Sequence, residues 1–238
     1  MKKLKVLEKD LKSPYQRFLY DVTPGKKYIA HDFDPDVTKD YAPGLYATDI
    51  EGLPHSWSIH KRCFEVEVSG RSVIYDQYKQ RFEHQTFIRE VFKDELIATA
   101  KAKESELGYK LSEVLFPVNP LFIDAGEVTD VDVANLKKWI AIGDSVLASV
   151  RTPVWDSVLS SVRTSVWDSV LASAWDSVEA YISSLFPNIK KRKYIDHKEG
   201  VNPFQPGIDL WNRGLLPSYD GKTWRLHAGP KAKIVYEL

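Results

Sequence analysis

The alternation of apolar and polar residues predicts short strands in the first half of the chain. Three segments have strand character, at 27–30, 44–48 and 62–70. The last is the clearest, because Phe64, Val66 and Val68 recur at every second position and so share one face. Residues 85–99 have apolar side chains at helical spacing, which predicts a helix there.

The centre of the chain has a different pattern. Residues 127–186 hold one of the 12 glycines and one of the 13 prolines. Because glycine and proline punctuate loops, this interval predicts long uninterrupted secondary structure. Apolar residues at i, i+3 and i+4 spacing on both flanks predict two helices, at 130–150 and 153–186. Beyond them the pattern predicts a short helix at 206–213 and two hairpin strands at 220–227 and 233–237.

The central helices carry an internal repeat. A twelve-residue unit at 144–155 recurs at 156–167, and a shortened copy follows at 168–175. Valine recurs every four residues, so successive valines drift by about 40° around a helix. Trp155, Trp167 and Trp175 are spread in the same way. The apolar side chains therefore surround most of the helix, which predicts either a central core helix or a surface that contacts a partner or a second copy of the chain.

Together these elements predict an α+β fold. Its parts are a small N-terminal mixed sheet with a helix, central long repeat-bearing helices and a C-terminal β-hairpin. The matching division of the chain is 1–120, 121–189 and 190–238. Because the repeat helix has apolar residues on most sides, we expect the three parts to form one integrated unit.

Composition and charge exclude several classes of protein. The chain has 238 residues, of which 43% are apolar, and its 33 basic residues balance 33 acidic ones. The apolar content and the balanced charge exclude wholesale disorder. Zero net charge argues against a protein that coats nucleic acid or is attracted to a membrane surface, because both need a strong excess of one charge. No stretch has the apolar length of a membrane span, and Cys63 alone cannot form a disulfide framework. We expect a cytoplasmic protein.

Two stretches of the chain have residue types that could bind a ligand. Asp32, Asp34 and Asp36 alternate like the start of a calcium loop, but the glycine and the glutamate that such a loop needs are missing. We therefore predict no metal site and no cofactor. A basic run at Lys190, Lys191, Arg192 and Lys193 follows the predicted long helix. It either complements the helix dipole or contacts nucleic acid. The first interpretation is favoured, because one short basic run is a weak indication of a nucleic-acid site.

Three stretches resemble proteins of bacteriophages and prophages that have no assigned function. They are Gly-Leu-Tyr-Ala-Thr at 44–48 followed by Phe-Glu-Val-Glu-Val-Ser-Gly at 64–70, the Ser-Val-Trp-Asp-Ser-Val repeat, and Gly-Leu-Leu-Pro-Ser-Tyr-Asp-Gly-Lys-Thr-Trp-Arg-Leu-His at 214–227. The resemblance implies a viral or mobile-element origin, and with a viral origin the expected location is the cytoplasm of the host cell. The variable repeat number in such proteins suits a spacer or a binding surface better than a catalytic centre.

A second resemblance lies in the N-terminal part. The strand at 44–48, the segment after it and the following Glu-Val strand are similar in order to the elements of small ADP-ribosyltransferase-like folds. This resemblance implies an NAD site in which Tyr46 lies near the nicotinamide, Glu83 orients the ribose and Arg17 contacts a phosphate. The chain departs from the family pattern because it has no clear Ser-Thr-Ser strand.

The leading hypothesis is a non-catalytic accessory or interaction protein that binds a host or viral protein, or itself. Its motivating feature is the spread of valine and tryptophan around the repeat helix. The alternatives are an NAD-binding transferase in the N-terminal part and a nucleic-acid-binding accessory protein.

Overall fold

The computed structural model describes residues 1–39, 42–58, 60–74, 80–142, 167–191 and 197–238, with 167–175 described as backbone. The chain divides into two compact units, Met1–Glu104 and Ser105–Leu238. Both contain helices and strands, so the predicted α+β class is confirmed.

The N-terminal unit is built on a five-stranded antiparallel sheet. β4 pairs with β1 on one side and with β5 on the other, and the far edge of β5 pairs with β2 and β3. A bridge between Leu4 and Thr48 returns from the end of β3 to β1, so the hydrogen-bonded path closes on itself. The strands are β1 (Lys2–Leu7), β2 (Lys27–Ile29), β3 (Leu45–Ala47), β4 (Arg62–Ile74) and β5 (Gln80–Val91).

The core of this unit lies on one face of β4. Phe64, Val66 and Val68 are buried, as their alternation predicts. In the register of β1 with β4, Lys3 lies opposite Val66 and Lys5 opposite Phe64. Because residues directly opposite each other in an antiparallel pair share a face, both lysines point toward the core. The aromatic and aliphatic cluster around them comprises Leu7, Tyr20, Ala47, Phe64, Val66, Val68, Phe82 and Phe87.

The helix predicted at 85–99 is wrong over its first half. Residues up to Val91 belong to β5, and the helix α1 runs over Lys93–Leu107. The register with β4 shifts by one residue at Ile88, which makes this residue an extra one in a β-bulge. Phe87 therefore faces Val66, whereas Val91 faces Cys63, and the two lie on opposite faces of the sheet. The bulge interrupts the two-residue period of the strand, and the remaining spacing of four residues matches that of one face of a helix.

A second bulge interrupts the pairing of β4 and β5 at Gly70. This glycine has a φ of 78°, and a Cβ on it would lie 2.8 Å from a carboxylate oxygen of Glu83. The backbone N–H of Arg71 donates to that same oxygen over 3.0 Å. The bulge thus needs glycine both for its backbone conformation and for the close approach of the carboxylate.

The C-terminal unit packs helices against a three-stranded antiparallel sheet of order β6-β7-β8. The predicted short helix and both hairpin strands are confirmed, whereas β6 was not foreseen. The elements are α2 (Leu111–Leu115), α3 (Asp130–Ile142), α4 (Trp167–Ser184), α5 (Gln205–Asn212), β6 (Leu216–Tyr219), β7 (Trp224–Ala228) and β8 (Lys233–Glu237).

The end of α4 supplies the centre of this unit's core. Val178, Tyr181, Ile182 and Leu185 are all buried, in agreement with their helical spacing. The ring of Tyr181 stacks on that of Trp211, with centroids 4.8 Å apart. The predicted helix at 153–186 is thus found over the part that the structure describes, while its start and the first repeat copies, at 143–166, lie outside the described residues. No helix in the described parts of the chain has the length and apolar character of a membrane span.

Candidate functional site

The connection between β1 and β2 forms a pinned loop, which we call the aromatic loop and define as residues 8–20. A backbone bridge joins Lys12 and Leu19 across it. Its tip is closed by Ser13, whose N–H donates to the carbonyl of Phe18 over 2.8 Å and whose Oγ accepts from the N–H of Phe18 over 3.0 Å. Tyr20 then donates its N–H to the carbonyl of Leu11 over 3.0 Å. Because its own hydrogen bonds fix its backbone, the loop presents its side chains in one arrangement.

Two residues of the aromatic loop have a left-handed backbone. Leu11 has a φ of 63° and Arg17 a φ of 56°, and among the described non-glycine residues only Ala232 shares this feature. A side chain in this conformation costs about 1–2 kcal/mol. Such strain persists only where the surrounding structure enforces it, and it gathers at functional sites. The strain therefore marks the aromatic loop as a candidate functional segment.

The tip of the aromatic loop exposes large apolar side chains. Tyr15 is 67% exposed, Leu19 60% and Phe18 50%. The ring of Phe18 makes T-shaped contacts with the rings of Tyr20, with centroids 4.8 Å apart, and Tyr28, at 5.9 Å. Since Tyr20 is buried in the core, Phe18 is an exposed ring held on a fixed aromatic base. Clustered exposure of this kind is typical of a contact surface.

Lys5 lies under this aromatic base. It is 5% exposed, its Nζ donates to the carbonyl of Tyr46 over 2.8 Å, and it lies 4.7 Å from the centroid of the Tyr20 ring. Burial lowers the pKa of Lys5 to about 7. The cation and the ring attract each other, so Lys5 helps to fix the position of Tyr20 beneath Phe18.

The charges around the aromatic loop are positive in sum. Asp10 accepts from Lys12 over 2.7 Å and from Arg17 over 3.3 Å, and the hydrogen bond from Lys12 is the main cause that lowers the pKa of this carboxyl. Asp21 forms an ion pair with Lys26 at 3.5 Å. Residues 8–27, which contain the aromatic loop and the turn after it, have five basic and three acidic residues, a net charge of +2 in a chain whose total is zero. The neutrality of the whole chain thus conceals a basic region.

The NAD site implied by the ADP-ribosyltransferase resemblance is only partly assembled. Tyr46 on β3 lies opposite Arg81 on β5, and Glu83 follows two residues later, so Tyr46 and Glu83 share a face. The carboxylate of Glu83, however, accepts from the backbone, Nε and Nη2 of Arg71. These hydrogen bonds lower the pKa of Glu83 to about 2. Arg17 lies on the aromatic loop, in its ion pair with Asp10.

Arg81 holds the connection between β2 and β3 onto the sheet. It is fully buried, and its guanidinium donates to the carbonyl of Asp36 over 2.8 Å and to the hydroxyl of Tyr46 over 3.3 Å. A Cβ on Gly44 would lie 2.3 Å from its Cγ, so glycine is required where the arginine crosses the backbone. Tyr46 in turn donates its hydroxyl proton to the carbonyl of Ala42 over 2.8 Å. These groups fix a loop, and Tyr46 and Arg81 have structural partners.

The other predicted site residues lie in the C-terminal unit. Lys190 donates to the carbonyl of Pro187 over 2.8 Å, and Lys191 donates to the carbonyl of His197. The rest of the basic run, Arg192 and Lys193, lies outside the described residues. The same holds for Trp155 and for the side chains of Trp167 and Trp175, whose backbone belongs to α4. The partner surface predicted on these tryptophans stays a prediction.

A buried serine–histidine pair joins β6 to β7. Ser218 Oγ lies 2.7 Å from Nε2 of His227, and Nδ1 of the same ring lies 2.9 Å from the carbonyl of Ala232. The pair has the order of a nucleophile, a base and an orienting group. Ser218 and His227 are only 5% and 7% exposed, and every hydrogen-bonding atom in the pair has a partner within the fold, so its evident role is to tie the sheet together. No trio of His, Cys, Asp or Glu side chains in the described part of the chain is arranged to hold a metal ion.

Comparison with protein-family models, with curated proteins and with solved structures gave no match. The aromatic loop is therefore judged on its geometry.

Sequence reasoning missed this loop although a signal for it exists. Tyr15, Phe18 and Tyr20 alternate with Lys12 and Arg17 beyond the end of β1, which is the interleaving of aromatic and basic residues that marks many binding surfaces. The exposure of the rings depends on the backbone hydrogen bonds of the loop, and composition does not reveal those.

Proposed function

We propose that the protein is a non-catalytic binding protein of the bacteriophage type, and that the aromatic loop is the surface with which it contacts an anionic partner. The observation that carries the proposal is the exposure of Tyr15, Phe18 and Leu19 on a strained, hydrogen-bonded loop. Tyrosine, arginine and large aromatic residues dominate the energetically important positions of interfaces. A preformed loop also loses little conformational entropy when it binds.

The sign of the partner's charge follows from the basic residues. Lys12 and Arg17 share one carboxylate, that of Asp10, so this group keeps a net positive charge. Lys9 and Lys27 are exposed nearby in the chain. Such a field raises the association rate of an anionic partner and lowers that of a cationic one.

A polyanion column tests this proposal. We expect the protein to be retained on immobilised heparin, and the variant Lys12→Ser/Arg17→Ser to elute at a clearly lower salt concentration because the loop then keeps Asp10 unopposed. The matched control is Lys137→Ser/Lys138→Ser, which removes two exposed cations from α3. Equal loss of retention in both variants, or no retention of the unchanged protein, would contradict a binding role for the aromatic loop.

A further inference from the structure

We infer that the partner of the aromatic loop is single-stranded nucleic acid, with Phe18 and Tyr15 stacking on unpaired bases and Lys12 and Arg17 contacting phosphates. This inference rests on the proposed function, because it names the partner class of the same surface. It differs from the nucleic-acid site predicted at 190–193, which lies in the other unit.

The aromatic geometry supports base stacking. Both contacts of the Phe18 ring with Tyr20 and Tyr28 are edge-to-face, at interplanar angles of 77° and 89°, and half of the residue stays exposed. Tyr20 is itself packed against Phe87, so the ring in contact with Phe18 is held by the core. An exposed ring on a rigid base is a stacking platform for any base, since every base has a π-face.

The basic side chains lie around this platform. Arg17 precedes Phe18 in the loop, and its side chain is 58% exposed. Lys26 pairs with Asp21, whose backbone N–H donates to the hydroxyl of Tyr28 over 2.6 Å. An unbroken series of contacts thus links Lys26 through Tyr28 to Phe18. We expect a strand whose bases stack on the rings to contact these cations through its phosphates.

The composition favours nucleic acid over an acidic protein as the anion. Four of the five cations in 8–27 are lysines. Lysine is depleted at protein–protein interfaces, whereas lysine and arginine together supply the phosphate contacts of nucleic-acid sites. Stacking on exposed rings requires unpaired bases, which a duplex keeps inside its stack, so a single strand is the form that fits.

Fluorescence anisotropy with labelled oligo(dT) and oligo(U) of about 15 nucleotides tests the inference. We expect Phe18→Leu, which keeps an apolar side chain on the aromatic base, to weaken binding by about 5-fold to 150-fold. The matched control is Phe92→Leu, at an exposed phenylalanine of the same unit. Arg17→Ser should reduce the slope of log K against log salt by about 0.7 between about 50 and 200 mM salt, because one phosphate contact is lost.

An abasic strand of the same length separates stacking from charge. We expect it to bind more weakly than oligo(dT) and to be insensitive to Phe18→Leu. The inference would be overturned if the abasic strand or poly-glutamate bound as tightly as oligo(dT), or if duplex DNA bound more tightly. Retention on heparin would still support the proposed function in each of these cases. Absence of binding to both oligonucleotides and heparin would overturn both. Near-ultraviolet circular dichroism of each variant confirms that the fold is intact.

Discussion

Lys5 offers a quantitative test of how the N-terminal unit is built. Its amine lies on the core face of β1, where it contacts the carbonyl of Tyr46 and the ring of Tyr20. Lys3, on the same face, is neutralised by Asp49. Burial without a carboxylate disfavours the charged amine, and the pKa of Lys5 is about 7 in the folded state against about 10.4 in the unfolded chain.

The sign of the pH dependence follows from proton binding. Between these two pKa values the unfolded chain holds more protons at Lys5 than the folded protein, so the free energy of unfolding rises with pH. From about pH 7 to about pH 9 the expected rise is about 2 kcal/mol, because each pH unit adds about 1.36 kcal/mol once the folded protein has lost this proton and the unfolded chain still holds it. The buried thiol of Cys63 opposes this by a few tenths of a kcal/mol, because burial raises its pKa to about 12. Tyr20 has its pKa raised to about 12 and titrates above this window.

The variant Lys5→Met removes the titrating group and keeps the volume. At about pH 7 the unchanged protein bears a cost of about 4 kcal/mol for burying the amine, whereas the variant loses the hydrogen bond that Lys5 donates to the carbonyl of Tyr46, at about 1–3 kcal/mol. We therefore expect Lys5→Met to stabilise the unit by about 1–3 kcal/mol at this pH and to lose the pH dependence. Lys2→Met, at an exposed position of the same strand, is the control.

Urea unfolding, followed on the amide resonances of β4, reports the stability of this unit. The reasoning is refuted if the unchanged protein shows no rise in unfolding free energy between about pH 7 and pH 9. It is also refuted if Lys5→Met shows the same rise, because another group would then be the source.

Three further predictions concern the two sheets. Gly70→Ala should lower the unfolding free energy by about 2 kcal/mol or more, because backbone strain and a steric clash add. Gly221 also has a positive φ but open space around it, so Gly221→Ala should cost only about 1 kcal/mol. Urea unfolding of the two variants measures the difference. Ser218→Ala should cost about 1–3 kcal/mol in a thermal or urea transition, because a buried histidine nitrogen loses its partner, and an unchanged midpoint would show that water replaces the hydroxyl. Cys63 should react with a thiol reagent such as DTNB only after urea is added, and rapid reaction of the folded protein would contradict its burial.

Strand character could be predicted where apolar residues alternate regularly on the face of a strand that meets the core. On β4 the regular alternation of Phe64, Val66 and Val68 predicted their burial on one face, which the structure confirms. On β5 the bulge at Ile88 moves the apolar residues after it to the opposite face of the sheet. The bulge exists only in the pairing of β5 with β4. A pattern within one segment therefore cannot reveal it.

The burial of polar groups could not be predicted for the same reason. Lysines at alternate positions of β1 read as a solvated face, yet pairing with β4 turns Lys3 and Lys5 toward the core. The aromatic loop likewise depends on tertiary contacts, since Phe18 is an exposed platform only because Tyr20 is buried beneath it. The chain pattern supplies the residue types, and the pairing of distant strands decides which side each one faces.

The most direct test of the central claim is a map of amide chemical shifts as oligo(dT) is added to the labelled full-length protein. The account predicts progressive, salt-sensitive shifts that concentrate at residues 9–20 and 26–28 and that disappear in Phe18→Leu. Shifts confined to residues 190–191 and their neighbours, or no shifts at concentrations where heparin is bound, would show that the aromatic loop is not the site at which this protein binds a single strand.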